Sequence, residues 1–496
     1  MSDPGMSTLA RAAVVDLGSN SVRLVVFEGR GRNPVAIFNE KAVLRLGRGL
    51  QHSGLLDAEA MAQALTVMNR YAAIARAMHA DPFEVLGTAA VRDAANGAAF
   101  IADLAQRLPG VPIRVLAGAE EAALSASGVL GGIPEADGVL ADIGGGSLEL
   151  VQLAAGTPGA AQTLRLGVIR LAERAGGDSA RARALAEADL ATVDWLGARA
   201  GGDLYAVGGA WRALARMHMA QTGYPLNLIH HYTVSREDMR ELTGLIATAP
   251  RRMLERMPGV PRRRLEDLPY AAVVLRRVLR ASGARRVVFS ASGLREGWYM
   301  GLLPEAVRAQ DPLLAAARGL AGAHARDAAL PAALLAWTDP LFPAEAPPAH
   351  RLRAAACWMS DIGSHEHPEY RAEQAFWRVL RLPGIGLDHP TRAFIGLTLA
   401  LRYEAEPEAP FLALARGLLA VEAVRQASVL GCALRLAYTL SAGTPDLLAA
   451  TRLRLRETLV LHLTRGSGVF AGESITRRLD RLAQALGVAA HTEMAA

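Results

Sequence analysis

Asp142-Ile-Gly-Gly-Gly-Ser147 lies between two apolar runs, Gly138-Val-Leu-Ala141 before it and Leu148 to Leu153 after it. The runs read as strands and the glycines as a tight turn joining them. Such a turn exposes successive backbone N–H groups, which form a concave site that suits a phosphate. Asp142 stands at the mouth of that site. A carboxylate beside a phosphate repels it unless a cation lies between them. The stretch therefore predicts a phosphate together with a divalent metal, Mg²⁺ by its preference for oxygen ligands. On its own, a Gly-rich hairpin is more often just a turn.

The stretch recurs. Asp16-Leu-Gly-Ser-Asn-Ser21 repeats the D-x-G-x-x-S spacing, with Ala13-Val-Val15 before it and Val22 to Phe27 after it. Asp16 and Asp142 are 126 positions apart, and Leu24-Val25 falls on Leu150-Val151 at the same offset. One domain therefore reads as duplicated, each copy opening with strand, phosphate turn and strand. Two facing copies put two turns and two aspartates around one cleft. In the second copy Glu149 follows the turn, where the first copy has Arg23. An acid in an otherwise apolar strand calls for a partner, either metal-bound water or an arginine.

The 496 residues are enough for about three domains with their own cores. No run of 18 uncharged apolar residues exists, so no membrane span is expected. Met1 to Ala10 lacks a basic start and an apolar stretch, so no secretory signal is expected. Two distant cysteines, Cys357 and Cys432, fit a reducing cytoplasm without disulfides or structural zinc. The net charge is +6, and of 54 basic residues only Lys41 is a lysine. Arginine grips phosphate oxygens with a planar fork, and a basic surface suits a polyanion. No basic patch is interleaved with aromatics, so nucleic acid is not the expected polyanion.

Taken in order, Arg45 and Arg48 fall in a Gly-rich loop, and Leu56 to Met78 reads as a helix capped by Asp57. Gly87-Thr88 to Arg92 runs from a strand end into a helix start, where an anion can bind, or else forms a solvated helix face. Glu120 and Glu121 open another helix. Acids there complement the helix dipole, or one of them orients a water near the cleft. Leu204 to Arg212, with Gly208-Gly209, is a third candidate anion turn, and Ser290 to Gly297 is a fourth small-residue turn into a helix. Arg262-Arg-Arg264 reads as a solvated charge run and His230-His231 as structural. A boundary falls near 303–312, after which Ala/Leu/Arg-rich periodic segments read as an all-helical domain. Asp361, His365 and His367 lack the further ligands of a metal cluster, and His491 to Ala496 is expected to fray.

These stretches together resemble the exopolyphosphatase and guanosine pentaphosphate phosphohydrolase (Ppx/GppA) family, within the acetate-kinase, sugar-kinase, Hsp70 and actin superfamily. The likeness rests on Asp16 to Ser21, Gly87 to Arg92, Gly118-Ala-Glu-Glu-Ala122, Asp142 to Ser147 with Glu149, Ala206-Val-Gly-Gly209 and Ser292 to Gly297, in that order. It implies an α/β fold of two ribonuclease-H-like domains, residues 1–134 and 135–308, with a cleft between them. A helical, degenerate HD-like domain follows at 309–496, where the His-Asp pair of that domain type is replaced by Ser360-Asp361. The resemblance implies Mg²⁺-dependent hydrolysis of a terminal phosphoanhydride. The implied substrate is inorganic polyphosphate, processively degraded, or guanosine pentaphosphate as the alternative. Glu121 is implied as the water-positioning acid, with Asp142 and Glu149 beside it. Asp16, Asp142 and Glu149 are the implied metal partners. Ser19, Asn20, Ser21, Arg92, Gly144, Gly145, Gly146, Ser147, Gly208 and Gly209 are the implied phosphate contacts. A homodimer is implied as well. A kinase lacks an acceptor signature here, and a non-catalytic alarmone or polyphosphate sensor would not need Glu121, Asp142 and Glu149 intact.

Overall fold

The computed structural model describes residues 10–322, 326–464 and 472–494. The leader considered over Met1 to Ala10 lies, except for Ala10, outside the described residues. The chain forms two units, Met1–Ala309 and Gln310–Ala496.

In the first unit, β-branched and leucine-rich runs separated by glycine turns form two sheets. Strands β1 (Arg11–Leu17), β2 (Ser21–Glu28), β3 (Val35–Val43), β4 (Ala80–Gly87) and β5 (Ile113–Val115) pair in the order β3-β2-β1-β4-β5. The second sheet contains β6 (Gly138–Ile143), β7 (Leu148–Ala154), β8 (Thr157–Leu164), β9 (Asp203–Val207), β10 (Tyr232–Ser235) and β11 (Arg286–Phe289), in the order β10-β11-β9-β6-β7-β8. Apart from the added edge strand β10, the second order repeats the first. In each sheet the first three strands are antiparallel and the following ones run parallel to the first, except that the added edge strand β10 is antiparallel to β11. The register repeats too, with Asp16 opposite Arg23 and Asp142 opposite Glu149. The two sheets bear out the duplication, and they are the two ribonuclease-H-like halves that the resemblance implied.

Each sheet buries one face under its own helices. Met68 and Tyr71 of the Ala58–Ala77 helix, fully buried, pack on the first sheet's core. Trp211 and Leu275 do the same for the second. The opposite faces are covered by exchange. The Gly118–Gly132 helix, which follows β5, lays Ala122, Ala126 and Val129 against Leu140, Val151 and Tyr205 of the second sheet. The Leu294–Gly301 helix, which follows β11, returns Trp298, Tyr299 and Met300 to Ala12, Val25 and Phe27 of the first. Trp298 Nε1 donates to Glu84 at 2.5 Å and the Tyr299 hydroxyl to the Gly31 carbonyl at 2.7 Å. Each such aromatic burial contributes about 1.5–3 kcal/mol. The two exchanged helices touch through glycine. A Cβ on Gly297 would lie 1.8 Å from the Leu124 carbonyl oxygen, and one on Gly128 2.1 Å from that of Gly293.

The second unit is built mainly of helices, including Pro347–Met359, His389–Arg402, Val421–Ser441 and Glu473–Leu486. It also holds a small sheet that the helical reading missed. Strands β12 (Thr451–Leu455) and β13 (Thr458–Leu463) are antiparallel, and β14 (Ala489–Met494) joins β13 in parallel. The end expected to fray is thus paired as far as Met494, because backbone ladder bonds tie it down. Ala495 and Ala496 lie outside the described residues. Asp361 is buried and gripped on both oxygens by Arg326, at 2.7 and 2.9 Å. Burial pushes its carboxyl up, but the Arg326 fork and Ser364 more than reverse this and hold it below the usual range. His365 and His367 are exposed. Among the described residues of the whole chain, no helix is long and apolar enough to cross a membrane.

Candidate active site

The two glycine turns have the same local closure. Gly18 N donates to Ser21 O at 3.2 Å, and Gly144 N to Ser147 O at 2.9 Å. They face each other at close range. A Cβ on Gly145 would stand 3.0 Å from Ser19 Cβ and 3.3 Å from Asn20 N, and one on Gly146 2.8 Å from Ser19 Oγ. Glycine is what lets the two backbones approach this closely. The third turn needs glycine for its conformation. Gly208 has φ of 111°, and a Cβ there would fall 2.3 Å from the Ile143 carbonyl oxygen. Ser19, Asn20, Ser21, Gly144, Gly145, Gly146, Ser147, Gly208 and Gly209 all line one cleft, whose cavity measures about 160 Å³.

Four acids line the same cleft: Asp16, Glu121, Asp142 and Glu149. Asp16 is the penultimate residue of β1, while Asp142 and Glu149 are cross-strand partners on β6 and β7. Glu121 comes from the first turn of the exchanged Gly118–Gly132 helix. Its neighbour Glu120 has a different job. Its carboxylate accepts the Ala117 N–H at 2.8 Å and so caps that helix. Burial raises all four cleft carboxyls above their ordinary range. Arg295 and Arg23 partly oppose this at Asp16, Arg92 at Glu121, and Ser125 at Asp142, whose Oδ2 accepts the Ser125 hydroxyl. Mutual repulsion raises Glu149 further, with Glu121 and Asp142 as its neighbours. Glu149 Oε1 is buried without a hydrogen-bond partner.

Arg92 is placed differently from the phosphate contacts it was grouped with. It does not line the cleft. It pairs with Glu121 and with the Leu116 carbonyl at 2.9 Å, and its Nε meets Asp93 at 3.1 Å. Asp93 in turn meets Arg170 at 2.8 Å. Alternating charges Glu121, Arg92, Asp93 and Arg170 thus run behind the glycine turns from one half of the unit to the other.

The cations that do line the cleft are Arg23, Lys41, Arg212, Arg264 and Arg295. The solvated reading of Arg262-Arg-Arg264 is corrected at Arg264. Its guanidinium pairs with Asp267 at 3.2 Å, and a Cβ on Gly209 would sit 2.5 Å from its Nη2. A run of like charges gives no sign in sequence of which member turns inward. Arg23 and Lys41 were discoverable by register. They are neighbours across β2 and β3, in line with Asp16 on β1. Burial, with the neighbouring Arg295 and Arg23, pushes Arg212 down to about 10.

His230 and His231 lie side by side. His231 has φ of 64°, which brings the two rings to 4.4 Å, and His230 Nδ1 accepts the Ala291 N–H at 3.2 Å. Among the described residues, no three His, Cys, Asp or Glu side chains are grouped to hold a metal ion by themselves.

Comparison with known proteins agrees with this architecture. The model of the Ppx/GppA phosphatase family matches residues 25–306, and the model described as exopolyphosphatase, C-terminal, matches residues 313–492. Exopolyphosphatase 2 of Mycobacterium tuberculosis is 35% identical over 176 residues, covering 34% of this chain and 55% of that protein. The chain thus spans about half the length of the curated relatives it matches. The crystal structure of an exopolyphosphatase from Cytophaga hutchinsonii superposes with a TM-score of 0.53 at 24% identity, over 58% of this chain and 96% of that one. The Ppx/GppA family member from Aquifex aeolicus gives a TM-score of 0.50 at 20% identity, over 58% and 96%. At these identities the likeness is one of fold.

Proposed function

The chain belongs to the Ppx/GppA phosphatase family, and we propose that its cleft hydrolyses the terminal phosphoanhydride of inorganic polyphosphate with Mg²⁺. The observation that carries this reading is the pairing of two facing glycine turns with a buried acid, Glu121, beside them. The turn N–H groups cradle phosphoryl oxygens. Glu121, held as a base by Arg92, orients the attacking water and accepts its proton. Positioning and charge neutralisation account for most of phosphoryl transfer, so no covalent intermediate with the protein is required. Arg23, Lys41, Arg212, Arg264 and Arg295 take the negative charge of the departing chain.

The residues fit a divalent cation. Glu149 Oε1 has no partner in the protein, and Asp16 and Asp142 are acids pushed up by burial. Asp142 and Glu149, with Asp16 opposite, would hold the ion. Too few direct ligands for a protein cage suits Mg²⁺, which keeps waters and takes substrate oxygens. Bound there, it supplies neutralising charge to the transferring phosphoryl group.

Guanosine pentaphosphate carries the same anhydride. None of the residues lining the cleft is aromatic, so the cleft offers charge and no stacking surface for a base. This favours polyphosphate. The test is phosphate release from long-chain polyphosphate and from guanosine pentaphosphate side by side, with Glu121→Gln as control. Release from polyphosphate that vanishes in the variant supports the proposal. Preferential release from the nucleotide moves the assignment to the alternative. Tight binding without release from either refutes hydrolysis.

A further inference from the structure

Lys41 is the only side-chain amine in the sequence, and it lies in the cleft. It projects from β3 opposite Arg23 of β2. The charged groups facing it are Arg23, Arg212 of the Gly209–Thr222 helix, Arg264, and Arg295 of the Leu294–Gly301 helix, with Asp16 two strands away beyond Arg23. Among the described residues, no ion pair or side-chain hydrogen bond engages its Nζ. A guanidinium stays protonated and is not a nucleophile, whereas an amine becomes one on losing its proton. Burial first, and then repulsion by the four arginines, pushes the Lys41 ammonium down to about 8. Lys41 is exposed as a residue while lining the cleft among these arginines, so a free amine stands in a cleft built for phosphoryl groups.

We propose that Lys41 is an acyl-acceptor site, modified by acyl phosphates whose phosphoryl group docks in the cleft. The inference rests on the phosphate-binding reading of that cleft. The Nζ lone pair attacks the carbonyl carbon and a C–N bond forms. The bond from that carbon to the phosphate oxygen breaks, and inorganic phosphate leaves with the electron pair. The proton released by the amine passes to the phosphate. The product is a neutral amide, which removes one of the five cleft cations. A polyanion is then held less tightly, so acylation restrains turnover. Arginine in the same position would be inert to this chemistry, which gives the lone lysine a role beyond its charge.

The test uses the full chain with acetyl phosphate near pH 7.5, read by intact mass and peptide mapping. The amine's depressed proton affinity should make Lys41 acetylate roughly tenfold faster in native than in urea-unfolded protein. Tripolyphosphate should suppress the reaction. Lys41→Arg should show only α-amine labelling, and its phosphate release should not respond to pre-incubation, whereas that of the parent should fall with the acetylated fraction. Equal labelling of native and unfolded protein overturns the proposal. So does labelling that tripolyphosphate leaves unchanged although calorimetry shows tripolyphosphate bound, and this outcome spares the function assigned above. If tripolyphosphate neither binds nor protects, the phosphate reading of the cleft fails as well. A phosphate-free ester, N-hydroxysuccinimidyl acetate, that labels Lys41 as selectively as acetyl phosphate overturns the docking step.

Discussion

Asp93 and Arg170 meet at 2.8 Å, joining one half of the first unit to the other. Through Arg92 this contact reaches Glu121, the acid proposed to handle the water. Arg170 is buried and Arg92 partly so, so these pairs are screened less than surface ones. The protonation of Glu121 is therefore tied to how the two halves meet.

Arg92→Ala tests that tie. Arg92 opposes the upward push of burial on Glu121. Without it the carboxyl rises further and stays protonated to higher pH. The acid limb of the kcat/KM profile should move up by about one unit, with about tenfold lower activity near pH 7. Arg92→Lys should recover part of the loss. An unmoved acid limb would separate Glu121 from the rate.

Glu121→Gln keeps shape and hydrogen bonding but removes the base. Phosphate release should fall by about 10²–10⁴-fold, while calorimetric affinity for tripolyphosphate stays within about threefold. Parallel loss of binding and turnover would make Glu121 a ligand-holding group instead.

The acid cluster has a signature in stability. Glu121 is pushed up to about 7 from its ordinary 4.5, so the folded chain holds protons that the unfolded chain has released. Stability is then fully present below about pH 4.5 and is lost as pH rises toward about 7. The other three cleft acids shift in the same direction. A thermal melt of chelator-treated protein should therefore show Tm falling across this window. Mg²⁺ should raise Tm by several degrees at pH 8 and hardly at all at pH 5. An equal Mg²⁺ effect at both pH values would place the ion elsewhere.

Two glycines of one helix separate packing from propensity. Gly297→Ala drives a methyl into the Leu124 carbonyl, 1.8 Å away. It should cost about 1–3 kcal/mol or more in urea denaturation. Nothing lies within 4 Å of a Cβ on Gly301, and Gly301→Ala should be neutral or stabilise by up to about 1 kcal/mol. Equal effects would mean that the helix contact is looser than described.

What the sequence made legible was local. Asp16 and Asp142 announce their turns because glycine spacing and strand ends are short-range features. Their 126-residue offset carries the repeated register. The split between Glu120 and Glu121 came from the family resemblance and not from the local pattern, since adjacent acids differ only in which way the helix turns them. Arg264 was hidden in a run of like charges, and the pairing of Arg92 with Glu121 was hidden because the two stand 29 positions apart. β12 to β14 were missed because an Ala/Leu/Arg-rich background masks short alternation. None of these depends on nearby sequence alone. Each is fixed by packing between distant segments.

The exchanged helices bear on ancestry. Each half of the first unit is roofed by the helix that closes the other half. A single ancestral copy with that helix extended would leave its sheet bare, and would cover it only by trading helices with a twin. The present chain has the architecture of such a swapped pair fused end to end. Severing it between Gly132 and Gly138 should therefore yield two fragments that fold only in each other's company.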